Sequence, residues 1–465
     1  MIKTRKRGTK MKMEDGSRRK KWAAGIVLAV LVIGVFGCNI HQRQKTADRM
    51  MSSPVNAEVR ADDRKEEKST TSQLYARAAV LMDADNGRIL LGKNEDEALP
   101  MASTTKIMTC ILALEKGDTE DVAEVSAYGA GQPKVHMGAK KGESYRIGDL
   151  LYALMLESYN DAAVIIAEYY GSQMAGLSGD IASHSAAESK RAVLAFTAEM
   201  TKKAKELGCK DTFFVTPNGL DGSLELKKSG KSINYEHHTT AADLAAVMSY
   251  CIAKSPKKEA FLKITRTPSY TFHDRKRMES GWQEGSRTVA CMNHNAFLQM
   301  MDGALSGKTG FTGKAGYCYV GALEKDKKRF TIALLACGWP NNKSWKWHDA
   351  RLLYEYGLEH YDRRDIREER ILPDVRVKNG QRDSAGLECR EETIELLLSR
   401  EDEIKVEWDV PKSLTAPVVK GEQVGRVAYF VNGELYREFP VTAAENVPEI
   451  TYFYCIIRII RNIFL

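Results

Sequence analysis

At 465 residues the chain has room for roughly two to four domains, each with its own core, which excludes a small scaffold held together by disulfides or metal. Hydrophobic residues at 43% and charged residues at 28% lie near globular averages, which excludes a chain disordered throughout or built mainly of membrane spans. The formal net charge of +7 is local: residues 1–21 hold ten Lys/Arg against Glu14 and Asp15, so the remainder is about neutral and gives no argument for nucleic acid as a partner.

In chain order, the basic leader runs into Trp22–Gly37, an uncharged apolar stretch followed by the polar Asn39, His41, Gln42 and Arg43. This pattern predicts a signal sequence or short signal anchor over 1–40, with the positive side cytoplasmic and everything after residue 40 outside. Sixteen residues fall just short of the ~17 of a minimal span, which leaves cleavage and retention both open. Val35-Phe36-Gly37-Cys38 resembles a lipoprotein cleavage box, with Phe36 where a small residue is usual. Residues 41–72 are polar and mixed in charge and predict a flexible stalk.

The folded part opens at about residue 73. Ala78–Met82 and Arg88–Leu91 read as strands joined by an I′-type turn at Asp85-Asn86-Gly87. A helix is predicted from Ser103 to about Gly117, a second long one over Ile147–Tyr170, and others over Arg191–Leu207 and Ala241–Ala253. The Ser, Ala and Gly of Gly171–Lys190 predict an inserted loop. Tyr317–Leu323 and Phe330–Ala336 read as strands around the turn Lys325-Asp326-Lys327-Lys328. Strands at both ends enclose helices, an α/β arrangement whose first hairpin is able to pair with its last. Beyond residue 362, short strand candidates (Thr393–Leu398, Glu403–Trp408, Val424–Phe430) alternate with turn-prone Asn379-Gly380, Lys420-Gly421 and Asn432-Gly433, a small all-β domain over 362–447. The tail 448–465 is apolar except for Arg458, Arg461 and Asn462 on one side of a helix. It either lies on a membrane surface or packs into the core. Nine Cys is an odd number without a C-x-x-C, so disulfides are permitted by export but not demanded, and no zinc-ligand spacing appears.

Three short stretches carry reactive groups. Ser103-Thr104-Thr105-Lys106 puts a hydroxyl and an amine one helical turn apart on one face. A serine at a helix start gains from the N–H groups there, and a buried amine of lowered pKa accepts its proton. Alone, the pattern serves a helix cap equally well; Ser17-x-x-Lys20 and Ser255-x-x-Lys258 share it without the apolar helix. Ser158-Tyr159-Asn160 interrupts an apolar region with a hydroxyl and an amide, suited either to capping the next helix or to relaying a proton and holding a carbonyl. Lys308-Thr309-Gly310 places a cation for a carboxylate beside a glycine that lets a substrate backbone approach a strand edge. Lys228-Ser229-Gly230 is similar but lies among lysines with no apolar strand beside it, and reads as a solvated loop.

Together, and in this order, these stretches resemble the motif set of penicillin-binding proteins and serine β-lactamases. Ala79–Gly87, Leu99–Thr109, Pro217–Asp221, His238–Ala245 and Gly307–Thr312 with Ala315–Tyr317 are similar to the low-molecular-mass D-alanyl-D-alanine carboxypeptidases. The resemblance is strong over about 73–360 and looser to about 445. It implies a DD-peptidase/β-lactamase-like fold, an antiparallel sheet flanked by helices with a helical subdomain, as a transpeptidase-like catalytic domain over 73–361. It implies acyl transfer: Ser103 as nucleophile, Lys106 as base, and Ser158 as proton donor to the departing D-alanine. Asn160 would position the peptide, Lys308 and Thr309 would bind the terminal carboxylate, Gly310 would admit the substrate backbone, and the N–H groups of Ser103 and Phe311 would hold the oxyanion. The implied partners are the D-Ala-D-Ala end of a peptidoglycan stem peptide and β-lactam inhibitors, with no metal or organic cofactor. His136 and His294 read as structural. Three departures stand out: Tyr159 where a small residue is commoner, and two lengthened loops, Gly171–Lys190 and Ser223–Tyr235. A serine β-lactamase is the enzymatic alternative, but neither Glu188 nor Glu199 has Asn four residues on; a non-catalytic wall-binding scaffold of the same fold is the other.

Overall fold

The computed structural model describes residues 68–464 except 229, 230 and 369, all within the second of the chain's two units, Lys65–Leu465. The leader, Cys38, the expected stalk up to residue 67 and the Ser229-Gly230 pair lie outside the described residues. Residues 68–73, expected to be stalk or its border, are helical, and just after them the Tyr75 and Ala76 amides donate to the Asp349 carboxylate at 3.2 and 2.7 Å.

The opening hairpin is β1 (Ala78–Asp83) and β2 (Ile89–Lys93). Its turn is not the I′ type expected, because of residues 85–87 only Gly87 has positive φ, at 88°. The Asp83 carboxylate shapes it instead, accepting from the Asp85 amide at 3.0 Å and from Asn86 Nδ2 at 2.7 Å, a local bond that competes with the regular turn. A 3₁₀ turn, Ala102–Thr105, leads into α1 (Lys106–Lys116). Then come β3 (Val122–Glu124), the short α2 (Ala127–Ala130), β4 (Ser144–Arg146) and α3 (Ile147–Tyr152). The apolar stretch predicted as one helix over 147–170 is two. A π turn, Ala153–Glu157, ends at Ser158 in the left-handed region (φ 64°, ψ 30°), and α4 (Asn160–Met174) starts afresh.

The Gly171–Lys190 insertion is shorter than its composition suggests, since α4 runs to Met174 and α5 (Ala186–Glu206) starts before it ends. Ser185 and Glu188 form a capping box at the head of α5, a reciprocal bond pair that fixes where a helix starts. The other lengthened loop is a hairpin, β5 (Ser223–Lys228) and β6 (Lys231–Glu236). It is followed by α6 (Ala241–Ser249), α7 (Lys258–Arg266), the long hairpin β7 (Ser269–Met278) and β8 (Gly281–Met292), and then β9 (Ala304–Thr312), β10 (Gly316–Lys325), β11 (Lys328–Leu335) and α8 (Trp345–His360). The I′ geometry appears between β10 and β11, where Asp326 and Lys327 both have positive φ, 52° and 62°.

The central sheet has the order β2-β1-β11-β10-β9. Ala78 pairs with Leu335, so the first hairpin does join the last. All six β1 residues are buried, because each face of the sheet has its own cover. Ala78, Val80 and Met82 point to a core shared with α1, α4 and α6, while Ala79 and Leu81 point to one shared with Leu353 and Tyr354 of α8, the two-residue alternation of a strand.

Between α8 and the tail the described elements are all strands: β12 (Asp362–Asp365), β13 (Val375–Lys378), β14 (Ser384–Ala385), β15 (Leu387–Cys389), β16 (Glu395–Leu398), β17 (Ile404–Asp409), β18 (Ser413–Thr415), β19 (Gln423–Val431) and β20 (Glu434–Ala443). Leu396, Val427, Tyr429 and Phe439 centre one of its cores, Val377, Val418 and Val447 another. It is tied to the first hairpin through Arg88, whose guanidinium donates to both oxygens of Asp402 at 2.8 and 2.9 Å, the paired geometry that gives an ion pair direction. The tail forms α9 (Tyr452–Phe464) and does not pack into the core: Tyr452 is 83% and Ile463 68% exposed, and Phe453, Ile459 and Ile460 are exposed too. Among the described residues no helix is long and apolar enough to cross a membrane, and the eight described cysteines are all free.

Candidate active site

Ser103 lies half-buried in the 3₁₀ turn that opens α1, and Lys106 is fully buried one turn on. The Lys106 Nζ is 2.9 Å from Ser103 Oγ, 2.9 Å from Asn160 Oδ1 and 2.6 Å from the Asn218 carbonyl. Burial, and then the nearby Lys308 cation, push the Lys106 pKa well below the usual lysine range, against a smaller opposing pull from Asp161. A neutral amine has two hydrogens and one lone pair. The two carbonyl oxygens can only accept, so they take the two hydrogens, and the lone pair is left facing the serine hydroxyl. That arrangement can draw a proton from Ser103.

The turn itself is held from beneath. Ala102 has φ 48°, an unfavourable value for a residue with a side chain, and its carbonyl accepts from Thr105 Oγ1 at 2.9 Å. Thr105 Oγ1 lies 2.8 Å from His237 Nε2, while His237 Nδ1 accepts from the Val215 amide at 3.0 Å. With Nδ1 accepting, the ring hydrogen is on Nε2 and is donated to Thr105. Burial, then His238 and Lys106, pull the His237 pKa down to about 3, so the ring stays neutral. Gly219 (φ 84°) closes the other side: a Cβ there would stand 2.0 Å from the Ala102 carbonyl oxygen.

The second stretch straddles the break between the π turn and α4. Ser158 Oγ accepts from Lys308 Nζ at 3.0 Å, whereas the Asn160 amide faces Lys106 with its oxygen and gives one hydrogen to the Pro133 carbonyl at 3.1 Å. Lys308 is buried, also donates to the Thr309 carbonyl at 2.8 Å, and has its pKa lowered by burial to about 7.

Lys308, Thr309, Gly310 and Phe311 lie on β9, the edge strand of the central sheet. A Cβ on Gly310 would stand 2.8 Å from the Ser103 backbone nitrogen, so β9 presses directly against the Ser103 turn and carries Phe311 to it. The Phe311 ring is 40% exposed and packs on Tyr317 at 4.6 Å between centroids. The fold thus brings these residues into two neighbouring hydrogen-bonded groups, Lys106 with Ser103 and Asn160, and Lys308 with Ser158, with Thr309, Gly310 and Phe311 along β9. Side-chain patterns gave no sign of Asn218, which acts through its carbonyl, or of His237, whose neighbour His238 is the same residue type.

Away from the site, Glu188 is occupied in the capping box, and Glu199 bonds Lys116 at 2.8 Å and Lys202 at 3.3 Å. His294 pairs with Glu157 at 2.8 Å. Among the described residues no group of three His, Cys, Asp or Glu is placed to hold a metal ion.

Residues 64–337 match the family model described as D-alanyl-D-alanine carboxypeptidase, and residues 367–449 match that of the penicillin-binding protein 5 C-terminal domain. The chain is 27% identical over 393 residues to D-alanyl-D-alanine carboxypeptidase DacF of Bacillus subtilis, covering 82% of this chain and 89% of that protein. It is 26% identical over 394 residues to DacC of Escherichia coli, with 81% and 86% covered. A solved structure of penicillin binding protein 5 from Haemophilus influenzae superposes with a TM-score of 0.58 at 23% identity, covering 81% of this chain and 98% of that one. The likeness extends the expected fold class, a helix-flanked antiparallel sheet followed by an all-β domain, to nearly the whole described chain.

Proposed function

Because more than half of the chain matches its model, the protein belongs to the D-alanyl-D-alanine carboxypeptidase family, and from that membership we propose that Ser103 removes the terminal D-alanine of peptidoglycan stem peptides through an acyl-enzyme. The observation that carries the assignment is the Lys106 amine, 2.9 Å from Ser103 Oγ and bonded to two carbonyls that leave its lone pair to the serine.

Ser103 Oγ attacks the carbonyl carbon between the two D-alanines as its proton passes to Lys106 Nζ. The tetrahedral oxyanion is held by the backbone N–H groups of Ser103 and Phe311. The C–N bond then breaks, Ser158 gives its proton to the departing amine, and the Lys308 ammonium, 3.0 Å away, restores it. Lys308 and Thr309 face the terminal carboxylate. Asn160 holds Lys106 in place and offers its remaining amide hydrogen to the peptide. Water then attacks the ester carbonyl, the C–O bond to Ser103 breaks with a water proton restoring the serine hydroxyl, and the proton held by Lys106 is returned through solvent to Lys308. A β-lactam, whose strained amide imitates the dipeptide, acylates the same oxygen. The β-lactamase alternative lacks support, since Glu188 and Glu199 are both engaged away from Ser103.

The enzyme acts outside the cytoplasmic membrane, with the exposed apolar residues of α9 resting on the membrane surface. The deciding experiment is D-alanine release from a pentapeptide together with labelling by a fluorescent penicillin, in wild type and Ser103→Ala. Wild type is expected to do both and the variant neither. Equal labelling of the two removes Ser103 as the nucleophile, and a folded wild type that releases no D-alanine favours the scaffold reading.

A further inference from the structure

The hairpin β5–β6 meets the end of β9 through charged and polar groups. Lys314 Nζ lies 2.6 Å from a Glu236 carboxylate oxygen, with the side chains 54% and 59% exposed, and Thr312 Oγ1 donates to Asp221 Oδ1 at 3.3 Å. An ion pair this open to water adds little to holding two elements together. The backbone on both sides is nevertheless fixed. Trp339 Nε1 donates to the Gly313 carbonyl and the Ala315 amide to Thr312 Oγ1, each at 3.0 Å, and residue 237, next to Glu236, is the buried histidine bonded to Thr105. Two opposite charges are therefore presented to solvent from rigid supports, beyond the end of the strand that carries Lys308 and Gly310.

A peptide whose terminal carboxylate faces Lys308 and whose penultimate carbonyl faces Ser103 runs antiparallel to β9, so toward its own N-terminus it passes Phe311, Thr312 and then the Lys314 turn. It advances ~3.4 Å per residue, which brings the residue before D-Ala-D-Ala level with Thr312 and puts the end of a long side chain at the pair. Lys314 holds the Glu236 carboxyl below its usual range and is itself raised by Glu236, so both charges persist at neutral pH. A side chain ending in a single charge would take one partner and strand the other; one ending in both matches the pair.

We propose that Glu236 and Lys314 form a subsite for the side chain that precedes D-Ala-D-Ala, and that it selects a diamino-diacid residue, whose ammonium goes to Glu236 and whose carboxylate goes to Lys314. The inference rests on the carboxypeptidase reading. Its test uses three peptides of equal length ending in D-Ala-D-Ala, in which the preceding residue is a diamino-diacid, lysine or Nε-acetyl-lysine, with active sites counted by penicillin labelling. Wild type is expected to prefer them in that order. Glu236→Gln lowers the ratio of kcat/KM for lysine over acetyl-lysine, and Lys314→Met that for the diamino-diacid over lysine, by about two- to fivefold each and through KM. Any general damage to the site cancels in these ratios. A wild type without preference, or ratios unchanged in both variants, overturns the subsite. Wild type that releases no D-alanine from any of the three overturns the carboxypeptidase reading instead.

Discussion

Lys106 and Lys308 are buried amines that form no ion pair among the described residues, a setting in which the charged form is disfavoured. The two consequences have opposite sign. As pH rises, Lys106, held well below the usual lysine range by burial and then by Lys308, loses its proton and becomes a base, so activity appears. As pH passes about 7, the lowered value for Lys308, the ammonium that faces the substrate carboxylate is lost and activity declines. The expected kcat/KM profile for D-alanine release is a bell whose alkaline limb has its midpoint near pH 7. In Lys308→Arg that limb moves above pH 10, because a guanidinium stays protonated, while the acid limb stays in place and the plateau falls. An alkaline limb that does not move in the variant separates Lys308 from the titration. At this scale the sequence is legible where chemistry is done by side chains: Ser103 and Lys106 announce themselves by spacing, and Lys308 by its glycine-flanked strand. Asn218 is not legible, because its contribution is a carbonyl that every residue has.

The spacing between β9 and the Ser103 turn depends on one missing carbon. In Gly310→Ala the new Cβ would stand 2.8 Å from the Ser103 nitrogen and 3.1 Å from that of Thr104, and backbone cannot yield as a flexible side chain does. The strand must shift outward, at about 1–3 kcal/mol of stability, and displacement of Ser103 from its partners lowers acylation about 10²-fold. Stopped-flow labelling with penicillin, alongside urea denaturation, checks both; unchanged acylation would mean the strand has slack. Elements built from local signals are where the pattern predicts them: β1, β10, β11 and α1 all follow apolar periodicity. Boundaries set by a single distant contact are not. The break at Ser158 coincides with the Asn160 amide donating to the Val135 carbonyl at 2.8 Å, a tertiary bond invisible in the run from Ile147 to Tyr170. The misplaced I′ turn has a local origin, since the Asp83 carboxylate bends its own loop and the two positive φ values fall instead at Asp326 and Lys327.

Across the whole molecule, the pairing of β1 with β11 is readable because two apolar strand runs bracket the helices. The parallel pairing of β13 with β18, Val377 against Leu414, is not readable, because strands this short carry no register of their own. The core-packed alternative for the tail is not met: Tyr454 touches the body through a hydroxyl bonded to the Gln381 carbonyl at 3.0 Å, while Tyr452, Phe453, Ile459, Ile460 and Ile463 are exposed. If α9 rests on a membrane surface as proposed, removal of residues 452–465 is expected to abolish co-sedimentation of the folded part, from residue 68 on, with anionic vesicles while leaving D-alanine release from a soluble peptide intact. Retention of vesicle binding after truncation would move the attachment elsewhere. The groups of the proposed mechanism come from stretches as distant as Ser103-Lys106, Ser158-Asn160 and Lys308, and the last of these lies on an edge strand pressed against the turn at Ala102. An unfolded chain therefore carries an ordinary alcohol at position 103. Its hydroxyl meets the Lys106 amine in the buried setting described above only once β9 has closed on the turn.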